Sequence, residues 1–194
     1  MKFPEFPKIA RLSRDAIITE KLDGTNASVY IFNREHPVEN DGVIPPHFVL
    51  PDGMALAVGS RTRWITPQDD NYGFARWVEG NLDQLATLGE GHHFGEWWGK
   101  GIQRGYGIAE KRFSLFNTSR WGTERPECCH VVPTLATGIF NTEYADHVLD
   151  ILSRQGSVAA PGFDKPEGIV VYHVASRQLF KKTLDKNDAA KGAA

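Results

Sequence analysis

The sequence is poor in cysteine, has no long apolar run and carries no excess of charge of either sign. Of 194 residues only Cys128 and Cys129 are cysteine, and they are adjacent. Such a pair frames neither a disulfide scaffold nor a zinc site of the usual spacing, and it reads as small apolar residues of a buried strand. No stretch approaches the ~20 apolar residues that span a bilayer, and Met1-Lys2-Phe3-Pro4 opens no apolar region like that of a signal peptide. A cytoplasmic protein without membrane contact is expected. With 22 basic and 24 acidic residues the net charge is -2, which argues against a chain that holds nucleic acid mainly by a general positive field. The histidines form no metal spacing, because the neighbours His92 and His93 would point to opposite faces of a strand.

What is present suits one soluble domain: 41% of the residues are hydrophobic and 24% charged, and the length leaves little room for a second full-sized domain. A short apolar run from Ala16, the turn Glu20-Lys21-Leu22-Asp23-Gly24-Thr25-Asn26 and the run Ala27 to Phe32 read as strand, tight turn, strand. Residues 33–53, with Pro37, Pro45, Pro46 and Pro51, read as a long surface excursion. Ala55 to Ser60 suits a strand, and Phe74, Trp77, Val78, Leu82 and Leu85 fall at the spacing of one helix ended by Gly89. Strands are expected over 93–98, 113–117 and 129–132. A helix is expected over 142–152 with Ala145, Val148, Leu149 and Leu152 inward, and a hairpin over 168–174 and 178–182. Strands that do not alternate regularly with helices predict an α+β fold of antiparallel β-sheets flanked by helices. The compositionally biased end, 185–194, is expected to be a disordered tail.

Five segments carry charged groups where chemistry could use them. In Lys21-Leu22-Asp23-Gly24-Thr25-Asn26 a lysine stands beside a glycine turn, as a backbone-held nucleophile would. Its amine must lose a proton to attack phosphorus or a carbonyl, which requires cationic neighbours, a metal or desolvation. In Gly59-Ser60-Arg61-Thr62-Arg63 two guanidinium groups sit at a strand end, where they can meet ribose or phosphate oxygens. Phe94-Gly95-Glu96-Trp97-Trp98-Gly99 sets a carboxylate in an apolar strand, so Glu96 is expected to meet a hydroxyl, cation or metal. Glu167-Gly168-Ile169-Val170-Val171 puts another acid at the mouth of an apolar strand. Leu179-Phe180-Lys181-Lys182-Thr183 ends the partner strand with paired lysines.

In this order the five segments resemble the nucleotidyltransferase motifs of the covalent lysyl-AMP ligases, which comprise ATP-dependent RNA ligases, DNA ligases and mRNA capping enzymes. The Lys-x-Asp-Gly pattern, the following Thr25-Asn26 and the Phe-Gly-Glu-Trp form are closest to small RNA ligases. The resemblance, running from Glu20 to Lys182, implies a nucleotidyltransferase (adenylation) domain of ATP-grasp-like ligase type over 1–184. It implies an ATP-dependent RNA ligase that forms lysyl-AMP, passes AMP to a 5′-phosphate and joins that end to a 3′-hydroxyl. Lys21 would attack the α-phosphorus, Lys181 and Lys182 would neutralise the phosphate, and Glu167 would help bind Mg2+ or Mn2+. Glu96 would accept from a ribose hydroxyl and Arg61 would contact sugar or phosphate. Glu20, Asp23 and Asn26 would shape the pocket or touch nucleotide and metal, with Asp23 the second metal candidate. For the aromatic that stacks on the purine, Phe113 is preferred over Phe116. Trp97 and Trp98 read as core or partner surface.

Two departures from the family's pattern stand out. The fifth motif commonly separates its two lysines by one residue, whereas Lys181 and Lys182 are adjacent, so strand alternation lets only one of them face the pocket. After Lys182 there is no room for the OB-fold or helical domain that many of these enzymes carry, and the grip on RNA ends or a nicked duplex is expected from this domain, a separate domain or another subunit. Alternatives are a ligase of nicked DNA, a GTP-using capping-type transferase and a non-catalytic module that binds nucleic-acid ends.

Overall fold

A computed structural model describes residues 3–35 and 44–185. In chain order its elements are β1 (Asp15–Lys21), β2 (Thr25–Phe32), β3 (His47–Val49), β4 (Ala55–Ser60), β5 (Trp64–Ile65), α1 (Phe74–Glu79), α2 (Leu82–Ala86), β6 (Gly91–Gly99), β7 (Lys111–Leu115), β8 (Cys129–Val131), β9 (Thr134–Ile139), α3 (Thr142–Gln155), β10 (Gly168–His173) and β11 (Gln178–Thr183). The expected α+β class holds: antiparallel pairing dominates and helices are few, the β7–β8 pair alone being parallel among the described strands. Among the described residues no helix is long and apolar enough to cross a membrane.

The chain divides into two compact units, Met1–Leu22 with Pro133–Ala194, and Asp23–Val132. The first holds a four-stranded sheet of order β11-β10-β1-β9. One face of this sheet, with Ala16, Ile18, Ile169 and Val171, is covered by Ala145, Val148, Leu149 and Leu152 of α3, the four positions expected to point inward. Burying each of the larger ones is worth roughly 1.5–3 kcal/mol. Asn141 starts α3 by accepting from the Glu143 and Tyr144 amides, and Gly156 at φ 83° ends it.

The second unit holds a seven-stranded sheet of order β3-β4-β2-β6-β7-β8, with β5 paired to β4. Val29, Ile31, Leu56 and Val58 pack on one face with Phe74, Val78, Leu85, Trp97 and Phe113, while Tyr30, Phe32, Ala55 and Ala57 pack on the other with Trp64. Burial on both faces is why β2 reads as a continuous apolar run rather than an alternating one.

Several expectations are corrected. The expected strand, tight turn, strand is present as β1 and β2, but the two strands belong to different sheets, because strand propensity and a glycine turn do not specify pairing partners. The single helix expected from Phe74 breaks at Gly80, a poor helix former, and at Asn81, whose side-chain amide donates to the Trp77 carbonyl at 2.7 Å in competition with the helix ladder. Strand β3 lies within the expected excursion over 33–53, of which residues 36–43 fall outside the described residues. The short β5 and the exposed β9 were not foreseen. The expected tail falls, beyond Asp185, outside the described residues.

Candidate active site

Strand pairing in the first unit determines which motif side chains share a face. Lys21 pairs with Gly168, and Thr19 with Val170, while Val170 pairs with Lys181 on its other side. Lys21 and Lys181 therefore project from one face. Lys21 Nζ donates to Glu167 Oε2 at 2.6 Å, with 24% and 17% of the two side chains exposed. Lys181 is exposed and has no ion pair among the described residues. Gly168 must be glycine: at φ 156° a Cβ would meet the Lys182 carbonyl at 2.2 Å. That close approach explains the Glu-Gly pair at the strand mouth.

Lys182 and Glu20 fall on the opposite, α3-facing side, since both pair with Ile169. Lys182 forms an ion pair with Asp146 of α3, on the face away from Lys21, where it is not placed for the phosphate role expected of it. Glu20, 1% exposed, accepts from Ser157 Oγ at 2.6 Å and from the Val158 and Ala159 amides at 2.9 Å each. Desolvation pushes its carboxyl above the usual range, against the lowering effect of these three donors. Glu20 thus braces the 157–159 loop beneath the strand that presents Lys21 and offers no open edge to a nucleotide.

In the second unit Glu96 organises the start of β2. Only 8% exposed, it accepts from the Gly24 amide at 3.1 Å and from Asn26 Nδ2 at 3.2 Å. A hydroxyl, cation or metal was expected for it, whereas these two partners are amide groups of the Lys-x-Asp-Gly-Thr-Asn segment itself. Gly24 lies against β6, where an added Cβ would meet the Trp97 carbonyl at 2.4 Å. Asp23 is held twice: Arg104 Nε donates to its Oδ2 at 2.8 Å, and its own amide donates to the Tyr106 hydroxyl at 2.8 Å. These two residues come from the glycine-rich β6–β7 connection, where Gln103 and Tyr106 take left-handed φ of 45° and 53°. Such strain persists only where the surroundings fix it. An irregular loop has no period from which such contacts could be read in the sequence. Arg61 is exposed in the β4–β5 turn.

Phe113 is corrected as the stacking residue. It is fully buried, pairs with Trp97 on the core face and lies 5.0 Å from the Phe74 ring, so no face is open to a purine. Phe116 is 41% exposed and joins β6 through its amide, which donates to the Phe94 carbonyl at 3.0 Å. Trp97 and Trp98 are both core residues. Among the described residues no three or more His, Cys, Asp or Glu side chains gather to hold a metal ion.

The sequence matches the RNA ligase family model over residues 14–187. The chain belongs to the RNA ligase family. No curated protein sequence matches it. Its fold is similar to that of Naegleria gruberi RNA ligase. A mutant of that enzyme with ATP and Mn superposes with a TM-score of 0.58 at 18% identity, covering 88% of this chain and 49% of that one. Another mutant, with AMP and Mn, gives 0.58 at 18% identity, covering 89% and 50%. Naegleria gruberi RNA ligase with PPi gives a TM-score of 0.57 at 17% identity, covering 88% of this chain and 50% of that one. The chain spans about half the length of the solved structures it matches.

Proposed function

We propose that the chain is an ATP-dependent RNA ligase acting through lysyl-AMP at Lys21, with residues 1–184 as its nucleotidyltransferase (adenylation) domain. The observation that carries the proposal is the pairing of Lys21 with Glu167 at 2.6 Å at the end of a strand, with Lys181 on the same face, in a chain of the RNA ligase family. Lys21 first gives up a proton to solvent water and its contact with Glu167. Its nitrogen then bonds to the α-phosphorus as the bond to pyrophosphate breaks. Lys181 supplies positive charge to the phosphate oxygens. Glu96 would accept from a ribose hydroxyl, Arg61, exposed at the surface, would meet sugar or phosphate oxygens, and the exposed ring of Phe116 is offered to the purine.

The donor set fits a weakly caged divalent cation. Mg2+ is characteristically held by one or two carboxylates together with phosphates and water rather than by a protein cage. Mg2+ or Mn2+ supplies compensation of phosphate charge when bound; Glu167 would hold it, with Asp23 as a second carboxylate that Arg104 neutralises in this structure. The AMP would pass from Lys21 to a 5′-phosphate RNA end and be released as that end joins a 3′-hydroxyl.

Incubation with labelled ATP, Mn2+ and nicked RNA, DNA and hybrid duplexes tests the proposal. Labelled protein and sealed RNA nicks are expected, with ATP preferred to GTP. Label without any sealing, preference for DNA nicks or preference for GTP would each contradict the RNA ligase assignment.

A further inference from the structure

The end of β1 remote from Lys21 carries a cluster of cations that the proposed reaction does not use. Lys8, Arg11, Arg14 and Arg177 line a groove of about 730 Å³ with Ala175 and no acidic residue. Glu5 and Asp15 belong to the same stretch of chain, and neither lines the groove. None of the four cations has an ion pair among the described residues; the one side-chain hydrogen bond among them runs from Arg14 to the adjacent Ser13 carbonyl. In a chain whose net charge is -2, such a concentration is not the average surface.

The groove is held by buried contacts rather than by chance placement of a terminus. His173, 3% exposed, bonds through Nε2 to the Leu12 carbonyl at 2.7 Å and through Nδ1 to Ser176 Oγ at 2.9 Å. One ring therefore ties the segment carrying Arg11 and Arg14 to the β10–β11 turn carrying Arg177. The Phe140 amide fastens the Arg14 carbonyl at 2.8 Å. Arg177 itself takes a left-handed φ of 56° at the tip of that turn, a conformation that a β-turn imposes at some cost on a residue with a Cβ.

We propose that this groove binds the phosphate backbone of the RNA substrate, away from the reacting ends. Several guanidinium groups without ion pairs among the described residues, facing one space with no carboxylate in its lining, match the charge of successive phosphates. From Asp15 to Lys21 the strand advances about 20 Å, so an RNA that reaches both places must extend several nucleotides beyond the reacting ends, and short arms would miss the groove. Its biological use depends on the RNA ligase reading above.

The test compares the full chain with Arg11→Gln/Arg14→Gln/Arg177→Gln by RNA-binding anisotropy over a salt series, alongside AMP-adduct formation without RNA. The variant should bind long-armed RNA at least roughly tenfold more weakly at low salt and lower the log–log salt slope by about two. Adduct formation and thermal midpoint should be unchanged, and the Arg→Lys version of the triple variant should retain the affinity. Equal affinity and slope in the Gln variant, or no RNA binding by the unaltered chain, would overturn the proposal. A chain that forms no AMP adduct but loses RNA affinity with the three arginines would refute the ligase reading and leave the groove intact.

Discussion

Lys21 and Glu167 meet as an ion pair, Nζ to Oε2 at 2.6 Å, although 146 residues separate them in the chain. The meeting follows from register: Lys21 is opposite Gly168 in the β1–β10 ladder, which puts the residue before that glycine beside the lysine. Under the proposed function Lys21 acts as a nucleophile only after leaving this pair, and Glu167 would link that release to metal binding.

Glu167→Gln should accordingly slow AMP-adduct formation by about 100-fold, the several kcal/mol that charge compensation at phosphate is worth, and raise the Mn2+ concentration needed for half-maximal rate. A metal titration with adduct formation as readout checks this. An unchanged metal requirement would separate Glu167 from the metal.

The adjacent lysines should behave oppositely. Lys181→Ala should lower adduct formation by at least about 100-fold, the scale of removing one preorganised charge from a transition state. Lys182→Ala should change it less than about threefold and cost no more than about 1 kcal/mol of stability, because its pair with Asp146 is partly exposed. Single-turnover rates and thermal melts of the two variants decide the assignment.

Phe113→Ala should destabilise the second unit by about 3–5 kcal/mol, since it opens a cavity among Phe74, Trp77 and Trp97. Phe116→Ala should leave the melting midpoint nearly unchanged and raise KM for ATP. Loss of ATP affinity in a well-folded Phe113→Leu with none in Phe116→Ala would reverse the two roles.

Stability should fall in mild acid. Burial holds His93 below the ordinary imidazole range, with Arg120 adding to the effect, and burial does the same for His130, helped by Arg112 and Arg125. A base whose folded pKa is depressed binds protons more readily when unfolded. Its contribution is complete above the unfolded value near 6.5 and is lost as pH drops from there through the folded value. Denaturant midpoints from pH 7.5 to 5 should decline, and the decline should be shallower in His93→Gln, which retains a donor for the Gly89 carbonyl. Equal pH slopes in the two proteins would contradict this account of His93.

Much of this was legible in the sequence where a period or a spacing carries the information. The buried face of α3 and the extents of β4, β10 and β11 follow from alternation, helical spacing and turn residues. The adjacency of Lys181 and Lys182 foretold that only one could share the face of Lys21, and register supplies which. Phe113 and Phe116 show the limit: parity separates them onto two faces, yet which face is core depends on α1 packing beneath β7. Pairing across long separations was also beyond reach, so the separation of β1 and β2 into different sheets and the hold of Arg104 and Tyr106 on Asp23 were unforeseen. Glu20 looked like a pocket residue because its neighbour is the candidate nucleophile, while strand alternation turns it to the other side.

The most direct test of the central claim is the intact mass of the chain after ATP and Mn2+, followed by peptide mapping. The account predicts one AMP per chain, carried by Lys21 and absent in Lys21→Ala. AMP on another residue, or no adduct with Mg2+ or Mn2+ in a folded protein, would contradict it.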